Sequence, residues 1–390
     1  YTGDRFDAQL YGQMRLWVND PDRGVRVEGD QVLVSPLFEW YADDFWRWSG
    51  EQSVCLVIAS YAERDLREKL FNGYRLRGAN GGDTDQSDVI LSIARLRAER
   101  AELMGYKSHA HYQLETRMAK TPEGAEEFLL KVWRPGLARA KEELADIQAL
   151  IDAEGGGFKA EGHDWWHYAE KVRQERFAFD DSVMKPYFEL ENVREGAFEV
   201  AERLFEIDIE QVETDVWHPT VTSYDVSDAN TGDHLGLLMM DMWSRDSKRG
   251  GAWMSSFRAA DADTRPIVTN NMNLTRPPEG QPTLMRFGEV STLFHEFGHG
   301  LHGLLTQIDY ETFSGVDGPR DYTEFPAQIM EHWAAEGQVL ENYAKHYETG
   351  EVIPQELVDK MNNAATFNQG FKTTEFIAAS LLDLAWHNLS

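Results

Sequence analysis

The chain has 390 residues, of which 42% are hydrophobic and 27% are charged, a balance typical of folded globular proteins. It contains 38 lysines and arginines against 67 aspartates and glutamates, so its net charge is −29. Most of such a surface would repel a polyanion, and nucleic acid is therefore not an expected partner. No long apolar run is present, so we expect no membrane span. A cytoplasmic location is a separate expectation.

Residues 1–60 carry few clear signals, and we assign them no role. Valines alternate on both sides of Gly29-Asp30, a pattern that predicts a small hairpin. Cys55 is the single cysteine, which excludes an internal disulfide, and its apolar neighbours indicate a packed residue rather than a nucleophile.

Helical patterns dominate the next part of the chain. Apolar spacing predicts helices from about Ala62 to Glu154, with a start signal at Thr121-Pro122-Glu123 and a stop at Gly155-Gly156-Gly157. Residues 163–213 are also predicted to be helical, with an interruption near Lys185-Pro186.

A small sheet is predicted between two helical blocks. Residues 220–226 and 235–240 have the pattern of a β-hairpin, and residues 266–271 are a further strand candidate. Helix resumes near Gly288. No repeat or long linker marks a domain boundary.

The segment His295-Glu296-Phe297-Gly298-His299 is an HExxH motif inside a predicted helix. At about 100° per residue, His299 lies about 40° round the helix from His295, and Glu296 lies about 60° beyond His299. Both imidazoles can therefore reach one metal ion, while the apolar residues of the segment project to the opposite half of the helix. Two imidazoles and a carboxylate suit zinc and leave room for a water molecule, from which Glu296 can take a proton.

The same motif also arises by chance on ordinary helices, where its side chains are simply solvated. Gly298, Gly300 and Gly303 argue against that interpretation, because each costs a helix roughly 0.5–1 kcal/mol relative to alanine. Three glycines in one helix indicate the close approach of another segment. We therefore expect one zinc ion per chain at this helix.

A catalytic zinc site requires a third protein ligand, and His302 and Glu324 are the local candidates. Glu324 is the better candidate because Thr323 or Asp321 can cap a new helix there, with Pro326 in its first turn. A helix that returns along the first one could bring Glu324 beside the motif.

His163 and His167 form a rival pair at the same spacing. His163 follows Gly162 at a predicted helix start, and two tryptophans separate the histidines, so a structural role is favoured. His109, His387 and the other remaining histidines are expected to be packed or surface residues.

Five segments, including the two just described, carry recognisable motifs within the region from about Arg64 to the end of the chain. They are residues 185–188 (KPYF), 245–253 (RDSKRGGAW), 294–303 (FHEFGHGLHG), 319–326 (PRDYTEFP) and 367–371 (FNQGF). Together they resemble the thimet oligopeptidase and peptidyl-dipeptidase family of zinc metallopeptidases, and within it the bacterial dipeptidyl carboxypeptidases.

The resemblance implies zinc held by His295, His299 and Glu324, with Glu296 as the general base, and it disfavours His302. It also implies a mainly α fold, in which a two-lobed helical zinc metallopeptidase body has a small β-sheet beside the active-site helix. The channel of such a body admits short peptides rather than folded proteins.

Family members continue past the match near His387, into a segment that donates hydrogen bonds to the tetrahedral intermediate. We therefore expect residues 61–390 to be a metallopeptidase catalytic region that is incomplete at its C-terminus. The expected function is zinc-dependent hydrolysis of peptide bonds in short peptides, with release of C-terminal dipeptides. The alternatives are an endo-oligopeptidase and a catalytically silent fragment that binds zinc or peptide, since one lost oxyanion donor costs roughly 2.7–4 kcal/mol.

Two further hypotheses concern the strand near Trp253 and a set of basic residues. A strand ending at Trp253 could pair with the main chain of a substrate, although packing of a half-buried strand explains the pattern equally well. Arg245, Lys248, Arg249 and Arg320 could hold a substrate carboxylate, but solvated charges are the favoured interpretation.

Overall fold

The structure is a computed structural model that describes residues 25–28, 31–34, 62–76, 78–79, 81–177 and 181–389. Cys55 lies outside the described residues. The chain divides into two compact units. Of the described residues, the first unit contains those in 25–34 and 181–358, and the second unit contains those in 62–177 and 359–389.

Helices account for most of the described chain, as the predicted fold class requires. In chain order they are α1 (Arg64–Arg75), α2 (Ser87–Leu103), α3 (His109–Leu114), α4 (Pro122–Ala153), α5 (Trp165–Phe177), α6 (Leu190–Phe205), α7 (Phe287–Leu304), α8 (Arg320–Ala334), α9 (Gly337–Tyr343), α10 (Gln355–Ala364) and α11 (Gln369–His387).

The described strands form two sheets. They are β1 (Val25–Glu28), β2 (Gln31–Val34), β3 (Ile207–Val212), β4 (Thr222–Asp228), β5 (His234–Trp243), β6 (Trp253–Arg258) and β7 (Ile267–Leu274). β1 and β2 pair antiparallel, which confirms the hairpin predicted from the alternating valines. The other five strands form one sheet in the order β3-β4-β5-β7-β6.

The five-stranded sheet confirms two predictions and corrects a third. The antiparallel β4–β5 hairpin and the strand β7 lie where the sequence predicted them. The prediction that residues 163–213 are helical is wrong at its end, because β3 pairs antiparallel with β4. α6 stops at Phe205, where Glu206 has a left-handed backbone (φ 53°) that turns the chain into the sheet.

The first unit buries its core between the sheet and the helices α6 and α7. Phe198 of α6 lies 5.4 Å from Phe297 of α7 and 5.0 Å from Tyr224 of β4, measured between ring centroids. α7 begins where the Glu289 carboxylate accepts a hydrogen bond from the Arg286 amide, at 2.8 Å. This packing places the HExxH helix directly against the sheet.

The second unit is helical, and α4 and α11 pack along each other within it. α4 begins as predicted, because Thr121 accepts a hydrogen bond from the Gly124 amide at 3.1 Å. The buried Glu143 carboxylate accepts from the amides of Gly370 and Phe371 at 3.0 and 2.8 Å. A carboxylate from one helix thus satisfies free amides at the start of the other.

A buried charge network joins α1 to the start of α5 in the same unit. Asp164 is fully buried and accepts hydrogen bonds from Arg64 (3.0 Å) and from Arg67 (2.9 Å). Burial favours the neutral acid, but these hydrogen bonds and that of the Glu161 amide outweigh it, so the pKa of Asp164 is lowered.

Candidate metal centre

Three glycines of α7 lie where neighbouring segments come closest. A Cβ on Gly298 would lie 2.7 Å from Cα of Ala327 in α8, and one on Gly300 would lie 2.9 Å from the Asn270 side-chain oxygen of β7. A Cβ on Gly303 would lie 2.8 Å from a side chain of β6. All three distances are below 3.0 Å, so a neighbouring atom would have to move to admit a Cβ, and the predicted close approach is confirmed.

α8 returns along α7, but it starts differently from the prediction. It begins at Arg320 after Pro319, with no side-chain cap, so the predicted caps at Asp321 and Thr323 are wrong. The Thr323 hydroxyl instead donates to the Arg320 carbonyl at 3.1 Å, inside the helix. Pro326 lies within the helix rather than in its first turn, and the helix continues past it.

Three donor atoms converge between α7 and α8. One carboxylate oxygen of Glu324 lies 3.3 Å from Nε2 of His295 and 3.4 Å from Nε2 of His299. In a tetrahedral site with zinc–ligand bonds of about 2.0–2.1 Å, neighbouring donor atoms are roughly 3.3–3.4 Å apart. The donor set and the two distances to Glu324 therefore fit a zinc ion.

No other group of three or more histidine, cysteine or acidic side chains in the described residues is arranged to hold a metal. His302 is not a member of the group. Its ring packs 6.1 Å from the ring of Tyr322, and burial lowers its pKa. The structure therefore brings together the set that the sequence and the resemblance favoured, and it leaves His302 out.

Glu331 contacts His295 at the ring nitrogen opposite the one that faces Glu324. Its carboxylate lies 2.6 Å from Nδ1 of His295. Burial disfavours the charged imidazole, but the hydrogen bond to Glu331 and the charges of Glu296 and Glu324 outweigh it and raise the pKa of His295. Glu331 belongs to no motif of the sequence, although its position seven residues after Glu324 is a helical repeat that could have indicated it.

The side of α7 that carries the motif is not open to solvent, in contrast to the separation of polar and buried faces that the sequence suggested. Glu296 and His299 are buried, because α8 and β6 cover them. Burial raises the pKa of Glu296 to about 7, and the charge of Glu324 adds to this, while His295 and a hydrogen bond from the Met254 amide oppose it.

The second imidazole of the motif has a different environment. Burial and the neighbouring charge of His295 lower the pKa of His299. Its Nδ1 atom is buried and has no hydrogen-bond partner among the described residues. The two imidazoles therefore share Glu324 on one side but differ on the other.

The basic residues before β6 form part of the framework. Arg245 donates two hydrogen bonds to the buried Asp241 carboxylate, at 2.7 and 2.6 Å, and Lys248 is itself buried and donates to the same carboxylate at 3.2 Å. The Lys248 ammonium group also donates to the Met272 carbonyl. The prediction that Arg245 and Lys248 are solvated charges is therefore wrong, because both are held by Asp241.

Arg249 and Arg320 are exposed. The Arg249 guanidinium lies 4.6 Å from the centroid of the Trp253 indole. Trp253 begins β6 rather than ending a strand, and β6 pairs only with β7, at one edge of the described sheet.

The rival histidine pair lies in the second unit. His163 and His167 are both buried, His163 in the short 3-10 turn Gly162–Asp164 and His167 in α5. Neither belongs to a group of donors in the described residues that could hold a metal, and the structural role stays a prediction. His109 and His387 are packed against each other, with ring centroids 5.0 Å apart.

Comparison with known proteins identifies the class. The sequence profile of peptidase family M3 matches residues 57–390, and the chain belongs to that family. The chain is 43% identical over 337 residues to the dipeptidyl carboxypeptidase of Escherichia coli (strain K12), covering 85% of this chain and 49% of that protein. It is 36% identical over 344 residues to oligopeptidase A of Salmonella typhimurium, covering 85% of this chain and 50% of that protein.

The chain thus spans about half the length of the curated relatives it matches. None of the helices in the described part of the chain is long and apolar enough to cross a membrane.

Proposed function

We propose that this chain binds one zinc ion through His295, His299 and Glu324 and hydrolyses peptide bonds in short peptides, releasing dipeptides from the C-terminus. The observation that carries the proposal is the convergence of these three donors beside the buried Glu296 carboxylate. The name of the Escherichia coli relative, dipeptidyl carboxypeptidase, supports the release of dipeptides from the C-terminus.

Zinc, when bound, acts as a Lewis acid that makes water more acidic and polarises a peptide carbonyl. Glu296 directly follows His295 in the chain, so it lies beside the ligands without being one of them. It would accept the proton of the attacking water and pass it to the leaving amine. Because this carboxylate is buried, bulk water is kept away from it, and loss of the proton to solvent is suppressed.

The edge strand β6 offers a surface for the substrate. Its residues Ser256, Phe257 and Arg258 are exposed, and its outer side has no strand partner in the described sheet. An extended peptide could add to this edge through main-chain hydrogen bonds, which would admit many side chains. The Met254 amide contacts Glu296, so such a peptide would run past the general base.

Replacement of Glu296 by glutamine tests the proposal. We expect Glu296→Gln to keep its zinc but to lose hydrolysis by at least about 10²-fold, because the ligands survive while the proton acceptor is lost. Zinc affinity is measured by competition with a chromophoric chelator, and products are measured by mass spectrometry of a short peptide. The exposed Glu341→Gln is the matched control. Loss of zinc in step with activity would contradict the general-base role.

A second candidate is an endo-oligopeptidase, which the match to oligopeptidase A supports. A peptide with an amidated C-terminus separates the two. A carboxyl-directed enzyme should cleave the free peptide and fail on the amidated one, whereas an endo-oligopeptidase should cleave both.

A further inference from the structure

The contact between Glu331 and His295 is short and largely shielded from water. Oε1 of Glu331 lies 2.6 Å from Nδ1 of His295, and the two side chains are 26% and 18% exposed. A hydrogen bond to a carboxylate is stronger than one between neutral groups, and a low local dielectric strengthens it further.

This contact determines which nitrogen of His295 carries the proton. A carboxylate only accepts hydrogen bonds, so Nδ1 must be the protonated nitrogen. In the neutral ring the lone pair then lies on Nε2. Nε2 is the atom that lies 3.3 Å from Glu324, on the side where the three donors converge.

The same contact holds the ring plane. His299 has no comparable support, since its Nδ1 has no partner among the described residues. His295 is therefore the imidazole of the pair whose orientation a carboxylate fixes in advance.

One face of α8 supplies both carboxylates. Glu324 and Glu331 are seven residues apart, which is about 20° short of two full helical turns. Ala327 lies between them and packs against Gly298 with no room for a Cβ. The close packing of the two helices thus sets the positions of both carboxylates relative to His295.

We propose that Glu331 is a positioning residue, which holds His295 in the tautomer and orientation that bind the metal. This inference rests on the proposed zinc site. Partners of this kind typically change metal affinity 10–100-fold when they are removed.

The test measures zinc affinity and imidazole tautomer in the full 390-residue chain. Zinc affinity is measured by chelator competition for the wild type, Glu331→Ala, Glu331→Gln and the control Glu341→Gln. The tautomer of His295 is read in the zinc-free protein at alkaline pH, where the ring is neutral, from long-range ¹H–¹⁵N spectra of labelled histidine. The His295 signals are identified by their loss in His295→Gln. A thermal unfolding curve of each variant reports whether it is folded.

We expect Glu331→Ala to bind zinc about 10–100-fold more weakly and to lose the Nδ1–H preference of His295. Glu331→Gln keeps an acceptor but no charge, so it should lose less affinity, and it serves as the test if the alanine variant does not fold. Glu341→Gln should match the wild type.

Two results would overturn the inference, and they differ. If the wild type binds zinc and Glu331→Ala binds it equally tightly with the same His295 tautomer, Glu331 does not position the ligand. If the wild type takes up no zinc, the proposed metal site itself is wrong, and the role of Glu331 in metal binding is wrong with it.

Discussion

At the residue scale, the proposed metal centre is formed by side chains that are close in space but differ in their surroundings. Glu324 lies within 3.4 Å of both imidazoles although it is half exposed, whereas His302, on the same helix as the imidazoles, faces Tyr322. Helical spacing alone therefore does not decide which residue completes the centre. The direction in which each side chain projects decides it.

This difference gives a prediction for two alanine variants. We expect Glu324→Ala to weaken zinc binding by more than about 100-fold, beyond the usual effect of a supporting residue, because it deletes a donor atom. His302→Ala should change the affinity by less than about threefold, well below even the effect of a supporting residue. Chelator competition on both purified variants measures this, and equal losses would show that the assignment of the third ligand is wrong.

At the scale of elements, α7 and α8 approach each other at a glycine. Gly298 meets the backbone of α8 at Ala327 and at the carbonyl of Pro326, where a Cβ would lie 2.7 and 2.9 Å away. Backbone atoms cannot rotate aside as a flexible side chain can. The spacing of the two helices, and with it the distance from Glu324 to the imidazoles, therefore depends on the absence of a side chain at position 298.

Gly298→Ala should separate the helices. We expect it to lower the free energy of unfolding of the zinc-free chain by about 1–3 kcal/mol, as overpacking does, although alanine is the better helix former. Zinc affinity should fall as well, because α8 carries Glu324. Urea unfolding and chelator competition measure the two effects.

The control for this variant is Gly337→Ala, at the start of α9, where a Cβ would meet nothing within 4 Å. It should leave both quantities unchanged or slightly raise the stability. If Gly298→Ala behaves like this control, the close contact does not set the helix spacing.

At the scale of the whole molecule, each of the two units contains a buried aspartate held by two cations. Asp164 binds Arg64 and Arg67 in the second unit, and Asp241 binds Arg245 and Lys248 in the first. Burial opposes ionisation at Asp241 too, but the Arg245 hydrogen bonds and the Lys248 charge outweigh it and lower the pKa. In a chain with a net charge of −29, these two carboxylates are therefore matched by specific local cations.

The lowered pKa values of Asp164 and Asp241 predict how the stability of the fold changes with pH. The pKa of an unfolded aspartate is about 3.9. An aspartate whose folded-state pKa is lower contributes its full stabilisation at pH values above the unfolded-state pKa. The contribution is lost as the pH falls through the folded-state pKa. We therefore expect stability to decline as the pH falls below about 4.

Asparagine variants should isolate this effect. At pH 7, Asp164→Asn and Asp241→Asn should each lower the free energy of unfolding by about 3–5 kcal/mol, because the neighbouring buried cations lose their counter-charge. The difference from the wild type should shrink below pH 4. Urea unfolding at pH 7 and pH 3.5 tests this against the exposed Asp83→Asn, and an equal loss at both pH values would contradict the role of the charged form.

The sequence by itself determined those features that depend on neighbours in the chain. The placement of His295, Glu296 and His299 on one side of α7 follows from helical geometry, which is local. The β4–β5 hairpin and the start of α4 at Thr121 are likewise local, because turn and capping residues act within a few positions. The sequence also predicts Glu324 as a ligand, on a helix that could return along the first.

Only the tertiary structure decided the features that depend on distant segments. The strand β3 forms because it pairs with β4. No glycine or proline separates its sequence from that of the helix α6. Lys248 looks like a surface charge in the sequence, and it is buried because Asp241 and the Met272 carbonyl surround it.

The contact of Glu331 with His295 and the burial of Glu296 also belong to the tertiary structure. Both require α8 to pack against α7 at Gly298, and the energy of that packing comes from atoms far apart in the chain. A motif specifies which groups can perform the chemistry. The packing of the second helix decides which carboxylates reach them and how far water is excluded.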